Sequence, residues 1–304
     1  MPASSSASHP EPVAGGRASA MVPGTCGELA QGMLDGILCM VTCPIDVYST
    51  ATVELSPGES GISAPADSPK ARRAVSATLD YLGTTGMEAR LSLDSLLPRG
   101  KGMASSTADV AASIAATGAA LGRELSPAQV AEIALGVEPS DGVMFPNVSI
   151  FDHRKGRIAI TLGTPPPMRV VVLDFGGSVD TLEFNRTDRE ASLKRLGPRM
   201  TEAVSLIKDG IVRGDPLRIG HGATVSAVAN QEVLFNPYLE TVLELSRRVG
   251  AVGVNVAHSG TVIGMLFRND SALVERAAAM ALRQLPGLES ALHCRIVGGG
   301  VKAG

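Results

Sequence analysis

The segment Leu97-Pro98-Arg99-Gly100-Lys101-Gly102-Met103-Ala104-Ser105-Ser106-Thr107-Ala108 joins a strand pattern to a helix pattern through a loop rich in glycine and serine. Upstream, residues 89–93 alternate apolar and polar side chains, which predicts a half-buried strand. Downstream, an alanine-rich run has apolar residues at helical spacing. Ser106 and Asp109 have the spacing of a capping box, so we expect the helix to begin at Ser106.

A glycine-rich loop that leads into a helix N-terminus is suited to binding phosphate. Free N–H groups and the helix dipole favour an anion there, and a serine or threonine hydroxyl can ligate phosphate-bound Mg²⁺. The segment is not a P-loop, because Ser95 stands where the first glycine of that motif belongs. Nor is it a dinucleotide fingerprint, because Ser105 takes the third glycine position. Composition alone leaves a flexible turn open as the alternative.

Composition excludes several classes of protein. The 304 residues carry a net charge of −3 and only 3% aromatic residues, so we expect neither nucleic-acid nor membrane binding. Four scattered cysteines in so long a chain do not form a disulfide framework, and we interpret them as reduced core thiols. No stretch of 18 apolar residues is present, and the predicted location is cytoplasmic. The sequence does not determine the oligomeric state, and a homodimer stays open.

The chain divides into a tail and two domains. Residues 1–18 have the composition of a disordered tail. Residues 19–164 form the first predicted domain, which ends at a stiff proline run, and residues 165–304 form the second. The second has a β-α-β-β-α-β pattern, typical of a ferredoxin-like domain. Within the first domain, His153 is predicted to be a solvated turn residue between two hairpin strands.

Three segments resemble the motifs of the GHMP kinases, a family that includes galactokinase, homoserine kinase and mevalonate kinase. The loop Pro98–Ala108 is similar to the second motif, which binds the phosphates of ATP, with Ala104 replacing a glycine. Residues 23–32 resemble the first motif, which lines the site of the phosphate acceptor, and residues 258–264 resemble a shortened third motif. A glycine-bounded bend and a hairpin turn are the alternatives for these two segments.

The resemblance implies an α+β fold with a ribosomal protein S5 domain 2-like N-terminal domain and a ferredoxin-like C-terminal domain. It also implies Mg²⁺ and ATP as cofactors. The substrate-binding residues implied are Thr25, Gly27, Glu28, Asp46, Gly260 and Thr261. Glu28 is equally well explained as a polar residue at a strand end.

Residues 138–142, Glu-Pro-Ser-Asp-Gly, follow a second helix that has Ser126 as its predicted N-cap. Alone, this segment is typical of a polar turn. Phosphoryl transfer to a hydroxyl, however, needs oxygen ligands for Mg²⁺ and a carboxylate near the acceptor. In a GHMP kinase, Ser106 and Glu138 would be the metal ligands and Asp141 the catalytic base. Glu132, on the same helix, is the alternative metal ligand.

Within the family, the first motif, residues 43–50 and residues 138–142 most resemble the members that phosphorylate L-threonine to L-threonine O-3-phosphate for cobalamin nucleotide-loop synthesis. A kinase of another small alcohol such as homoserine stays open, as does a non-catalytic ATP-binding regulatory module. Residues 20–50 contain no lysine or arginine, which argues against an acceptor that already bears phosphate. Ser106, Glu138 and Asp141 together argue against a module that only binds ATP, because such a module needs no carboxylate near an acceptor.

Overall fold

The structure is a computed structural model that describes residues 15–177, 190–258, 260–269 and 272–304. Its strands are β1 (Arg17–Leu34), β2 (Ile37–Pro57), β3 (Ile62–Ser63), β4 (Met87–Ser95), β5 (Val148–Phe151), β6 (Ala159–Gly163), β7 (Met168–Asp174), β8 (Gly253–Val256), β9 (Val262–Arg268), β10 (Ser290–Ile296) and β11 (Lys302–Ala303). Its helices are α1 (Pro69–Tyr81), α2 (Ser105–Ala120), α3 (Pro127–Val137), α4 (Glu190–Arg195), α5 (Gly197–Arg213), α6 (Pro216–Asn230), α7 (Leu239–Arg248) and α8 (Val274–Gln284).

One sheet connects both halves of the described chain. Its strand order is β11-β1-β8-β9-β7-β10-β2-β4-β3, and β5 with β6 forms a hairpin that pairs with β2. Within this sheet, β10, β7, β9 and β8 are antiparallel neighbours, and helices connect β7 to β8 and β9 to β10. This arrangement confirms the predicted β-α-β-β-α-β pattern of the second half. The division into domains at residue 164 stays a prediction.

The two longest strands, β1 and β2, pair antiparallel along most of their length. β2 runs without a break through residues 43–46, with Cys43 and Ile45 fully buried. The irregularity lies in β1 instead, where the register shifts on either side of Thr25 and of Glu28. Such bulges bend a strand and re-aim its side chains.

The start of α2 differs from the prediction. The helix begins at Ser105, and its N-cap is Ala104, which has a left-handed φ of 55° and makes no side-chain capping bond. The predicted capping box is therefore wrong: Asp109 accepts a hydrogen bond from Ser49 on β2 instead. Tertiary packing overrides the local motif, because α2 is buried on most of its surface. The N-cap predicted at Ser126 of α3 is confirmed, and it forms a capping box with Gln129.

The predicted tail overlaps the sheet. Residues 1–14 lie outside the described residues, but Arg17 and Ala18 already pair with β2, so the tail prediction is wrong at its end. All four cysteines are buried and free, as predicted. Among the described residues, no helix is long and apolar enough to cross a membrane.

Candidate active site

The glycine-serine loop between β4 and α2 is held by backbone hydrogen bonds from two distant segments. The N–H of Thr25 on β1 donates to the carbonyl of Met103 at 3.0 Å. The N–H of Thr261, which precedes β9, donates to the carbonyl of Lys101 at 3.1 Å. The tertiary structure thus brings together the three segments that resemble family motifs, although Ser259 of the third lies outside the described residues.

Glycine permits the close approach of these segments. Gly102 has a φ of +80°, and a Cβ on it would lie 2.4 Å from the Cβ of Ala257. A Cβ on Gly260 would lie 2.2 Å from the carbonyl oxygen of Lys101. Gly27 has a φ of +53°, and its N–H donates to the carbonyl of Gly102 at 3.3 Å. No other residue type fits these positions without a shift of backbone.

The loop borders a pocket that the N-terminus of α2 also lines. Its lining residues are Glu28, Met40, Lys70, Gly100, Gly102, Met103, Ala104, Ser105, Ser106, Thr107, Glu138, Pro139, Ser140, Asp141, His153 and His258. The first N–H groups of a helix have no partner within the helix, and with the helix dipole they favour an anion. This side of the pocket is therefore suited to phosphate.

An oxygen-rich cluster lies beside the first turn of α2. The hydroxyl of Ser106 donates to one carboxylate oxygen of Glu138, and the ammonium group of Lys70 forms an ion pair with the other. The side chain of Glu138 is only 9% exposed. Glu132 is exposed and accepts a hydrogen bond from Tyr81, and it does not line the pocket. Of the two glutamates considered from the sequence, only Glu138 lies next to Ser106.

Asp141 follows the same segment into the pocket. The hydroxyl of Thr107 lies 3.4 Å from a carboxylate oxygen of Asp141. Burial, together with the negative charge of Glu138, raises the pKa of Asp141 to about 6. A carboxylate with a pKa close to neutrality is well matched to accepting a proton from a substrate.

Glu28 supplies a third carboxylate to the pocket. It is 4% exposed, and its Oε2 atom has no hydrogen-bond partner among the described residues. Burial is the main cause of its raised pKa, and the charge of Asp141 adds to the effect. A buried carboxylate oxygen without a donor is suited to a ligand that brings one.

The prediction that His153 is a solvated turn residue is wrong. Its side chain is 2% exposed and lines the pocket, because β5 and β6 fold the turn inward against the Glu-Pro-Ser-Asp segment. Burial lowers the pKa of His153 to about 4. Its ring lies edge-on to that of His258, with the ring centroids 4.9 Å apart.

Several predicted site residues do not line this pocket. Asp46 forms an ion pair and a backbone hydrogen bond with Arg295. Arg99 contacts Asp67 and Ser68, at the start of α1. Pro98, Lys101 and Ala108 also lie outside the lining, as do Thr25, Gly27, Gly260 and Thr261. These last four contact the loop or lie beside it, whereas Lys101 forms a salt bridge with Asp174 at 2.9 Å.

Sequence reasoning missed Lys70 and the two histidines as pocket residues. Lys70 begins a surface helix, and nothing in its neighbourhood along the chain distinguishes it from a solvated lysine. His258 belongs to the segment that resembles the third motif, but the resemblance implies no role for it. The sequence signal for His153 as a pocket residue is its position just after the end of a strand, β5.

The family model described as GHMP kinases N terminal domain matches residues 70–146, and the model described as GHMP kinases C terminal matches residues 207–286. An L-threonine kinase from Salmonella typhimurium is 34% identical over 290 residues, which cover 94% of this chain and 95% of that protein.

Two solved structures have the same fold. The chain is similar to L. major mevalonate kinase in complex with R-mevalonate, with a TM-score of 0.72 and 16% identity over 95% of this chain and 99% of that one. It is also similar to homoserine kinase from Cytophaga hutchinsonii, with a TM-score of 0.71 and 14% identity over 94% and 97% of the two chains.

Proposed function

The chain belongs to the GHMP kinase family, and we propose that it phosphorylates the side-chain hydroxyl of L-threonine. It is an ATP-dependent kinase of a small hydroxyl compound and has the two-domain fold of the family. The product of the proposed reaction is L-threonine O-3-phosphate, which would serve cobalamin synthesis. The observation that supports this assignment most is the half-buried carboxylate of Asp141, in the pocket beside the proposed phosphate loop, in a chain 34% identical to an L-threonine kinase.

The loop from Gly100 to Thr107 is the proposed site for the phosphates of ATP. Its backbone is fixed by hydrogen bonds from Thr25 and Thr261. Little reorganisation is then needed when charge develops in the transition state, which is how phosphoryl-transfer enzymes gain most of their rate.

The donor set of Ser106 and Glu138 fits Mg²⁺. This ion takes oxygen ligands and is commonly bound by one or two protein groups together with substrate phosphates. One hydroxyl oxygen and one carboxylate lie in contact at the N-terminus of α2. When bound, Mg²⁺ neutralises charge on the phosphate oxygens. Lys70 balances the charge of Glu138 in the structure described here.

Asp141 orients the hydroxyl of the acceptor and takes its proton. As the hydroxyl oxygen forms a bond to the γ-phosphorus, the bond from that phosphorus to the β-γ bridging oxygen breaks, and ADP leaves. The proton of the hydroxyl passes to the carboxylate of Asp141, which is ionised at neutral pH because its pKa is about 6.

The proposal is tested by ADP release from purified protein with Mg²⁺-ATP and one acceptor at a time. The panel is L-threonine, L-serine, L-homoserine, mevalonate and no acceptor, and mass spectrometry identifies each product. We expect the highest kcat/KM with L-threonine and a product heavier by one phosphoryl group. Preference for another acceptor would overturn the substrate assignment. ATP binding without acceptor-dependent ADP release would instead favour the non-catalytic module.

A further inference from the structure

We propose that His153 binds the carboxylate of the acceptor amino acid, and that His258 holds the His153 ring in place for this contact. The inference rests on the proposed function and names the group by which the site selects an amino acid over a simple amino alcohol. It follows from the position of His153, from the charges that surround it and from the contacts that fix both rings.

The backbone fixes His153 beside the proposed base. The carbonyl of His153 accepts a hydrogen bond from the N–H of Ser140 at 2.9 Å, so it lies against the residue that precedes Asp141. The carboxylate of Asp152 accepts from the N–H groups of Arg154 and Lys155 at 3.2 and 3.1 Å, which closes the turn that carries His153. His153 lines the pocket from this hydrogen-bonded turn.

The ring nitrogens of His153 have no hydrogen-bond partner in the part of the chain that the structure describes, although the side chain is only 2% exposed. Buried polar groups are normally paired, because an unpaired one loses its hydrogen bonds to water without replacing them. A ligand that pairs with this ring would make up for that loss. Because a neutral imidazole keeps one N–H in either tautomer, the ligand atom that it suits is a hydrogen-bond acceptor.

His258 is oriented by Gln31. The side-chain N–H₂ of Gln31 lies 3.4 Å from the carbonyl oxygens of Val256 and Ala257, so its Oε1 atom faces His258 and accepts. Nδ1 of His258, 2.6 Å from that oxygen, therefore carries a proton. The ring held in this way packs edge-on against His153 and restricts the orientation of its imidazole.

The charges in the pocket leave one place for a carboxylate. A threonine zwitterion brings an ammonium group, a hydroxyl and a carboxylate. The unpaired oxygen of Glu28 suits the ammonium group, and Asp141 suits the hydroxyl. Among the described lining residues, Lys70 is the one lysine or arginine, and it is paired with Glu138. The N–H of His153 is thus a donor not already engaged by the phosphate side.

The test compares two acceptors that differ only in the carboxylate: L-threonine and (R)-1-amino-2-propanol. In the wild-type enzyme we expect kcat/KM to favour L-threonine. His153→Phe keeps a ring but removes both nitrogens, and it should lower kcat/KM for L-threonine about 10- to 100-fold more than for the amino alcohol, as for a lost hydrogen bond to a charged group. His153→Gln, which keeps an N–H donor, should restore part of the preference.

His221→Asn is the matched control, because His221 is exposed on α6, outside the pocket lining. It should leave the preference unchanged. Thermal melting and the KM for ATP show whether each variant folds and binds nucleotide. An equal loss for both acceptors in His153→Phe, or an unchanged preference, would overturn the inference.

Failure of the proposed function gives a different result. If the wild-type enzyme prefers L-homoserine to L-threonine, the substrate assignment falls, and the comparison is made with L-homoserine and 3-amino-1-propanol. A preference for the amino acid that His153→Phe abolishes would still support carboxylate binding. If the wild-type enzyme uses amino alcohols as well as amino acids, the carboxylate site itself is overturned.

Discussion

The two sides of the pocket are built differently. On the phosphate side, polar groups are already paired: Ser106 with Glu138, Glu138 with Lys70, and the loop backbone with Thr25 and Thr261. On the acceptor side, Glu28 and His153 are buried with polar atoms that have no hydrogen-bond partner among the described residues. The proposed phosphate side is preorganised by its own contacts, whereas on the proposed acceptor side these atoms would be paired by a ligand.

This difference has a physical cause. A loop at a helix N-terminus attracts anions through backbone groups, so its side chains need only hold the backbone in place. A small acceptor has few atoms, and its selection depends on buried groups that are costly to leave unpaired. Substitutions on the phosphate side should therefore change nucleotide binding or metal dependence. Substitutions on the acceptor side should change turnover and acceptor choice.

Asp141→Asn should give the largest effect. The substitution keeps the shape of the side chain but removes the base, and a positioned base contributes about 10²- to 10⁴-fold. We expect kcat to fall by that factor with the KM for ATP little changed, because the proposed site for the phosphates is the loop and not Asp141. Steady-state ADP release measures both.

The pH profile checks this assignment independently. The base must be ionised, so activity of the wild-type enzyme should rise with pH through the raised pKa of Asp141, about 6, and be lost below it. The residual activity of Asp141→Asn should lack this acid limb. If Asp141→Asn kept near-normal turnover, the base assignment would be wrong, and residues 138–142 would be interpreted as a polar turn.

Glu138→Gln should raise the Mg²⁺ concentration needed for half-maximal rate by about tenfold or more, because loss of a residue that only supports metal ligands already costs about 10- to 100-fold. The variant also leaves Lys70 without its ion-pair partner. Glu132→Gln is the matched control, since Glu132 is exposed outside the pocket lining. If Glu132→Gln raised the Mg²⁺ requirement instead, Glu132 would be the metal ligand, one and a half turns earlier on the helix.

Gly102→Ala should weaken ATP binding about tenfold or more. The new Cβ would meet Ala257 at 2.4 Å, and a left-handed φ costs about 1–2 kcal/mol without glycine. Gly36→Ala has the same strain without the clash, because Gly36 has a φ of +75° and open space around it. It should lower thermal stability and leave nucleotide affinity intact. Equal affinities in both variants and the wild type would exclude the loop as the nucleotide site.

Ala104→Gly should give the smallest effect, and unlike the other substitutions it should stabilise the protein. Ala104 adopts a φ of 55°, which glycine tolerates better, so we expect the free energy of unfolding to rise by up to about 1 kcal/mol. Ala115→Gly, within the same helix, should lower it by about 1 kcal/mol. Denaturant titration measures both, and destabilisation by Ala104→Gly would contradict the strain argument.

The sequence by itself determined the elements whose signals are local. The alternation before the phosphate loop, the glycines within it and the capping box at Ser126 each act over a few residues, and the structure has the corresponding strand, positive φ angles and cap. The motif resemblance likewise identified the family, since it depends on residue types in order along the chain.

Only the tertiary structure decided which side chains are buried together. His153 has the neighbours of an exposed turn, and its burial depends on how β5 and β6 pair and on His258, 105 residues further along the chain. Lys70 meets Glu138 only because α1 and α3 pack side by side. Asp109 bonds to Ser49 rather than capping α2, because the helix packs on β2. Such contacts depend on burial and long-range pairing, which local sequence patterns do not encode.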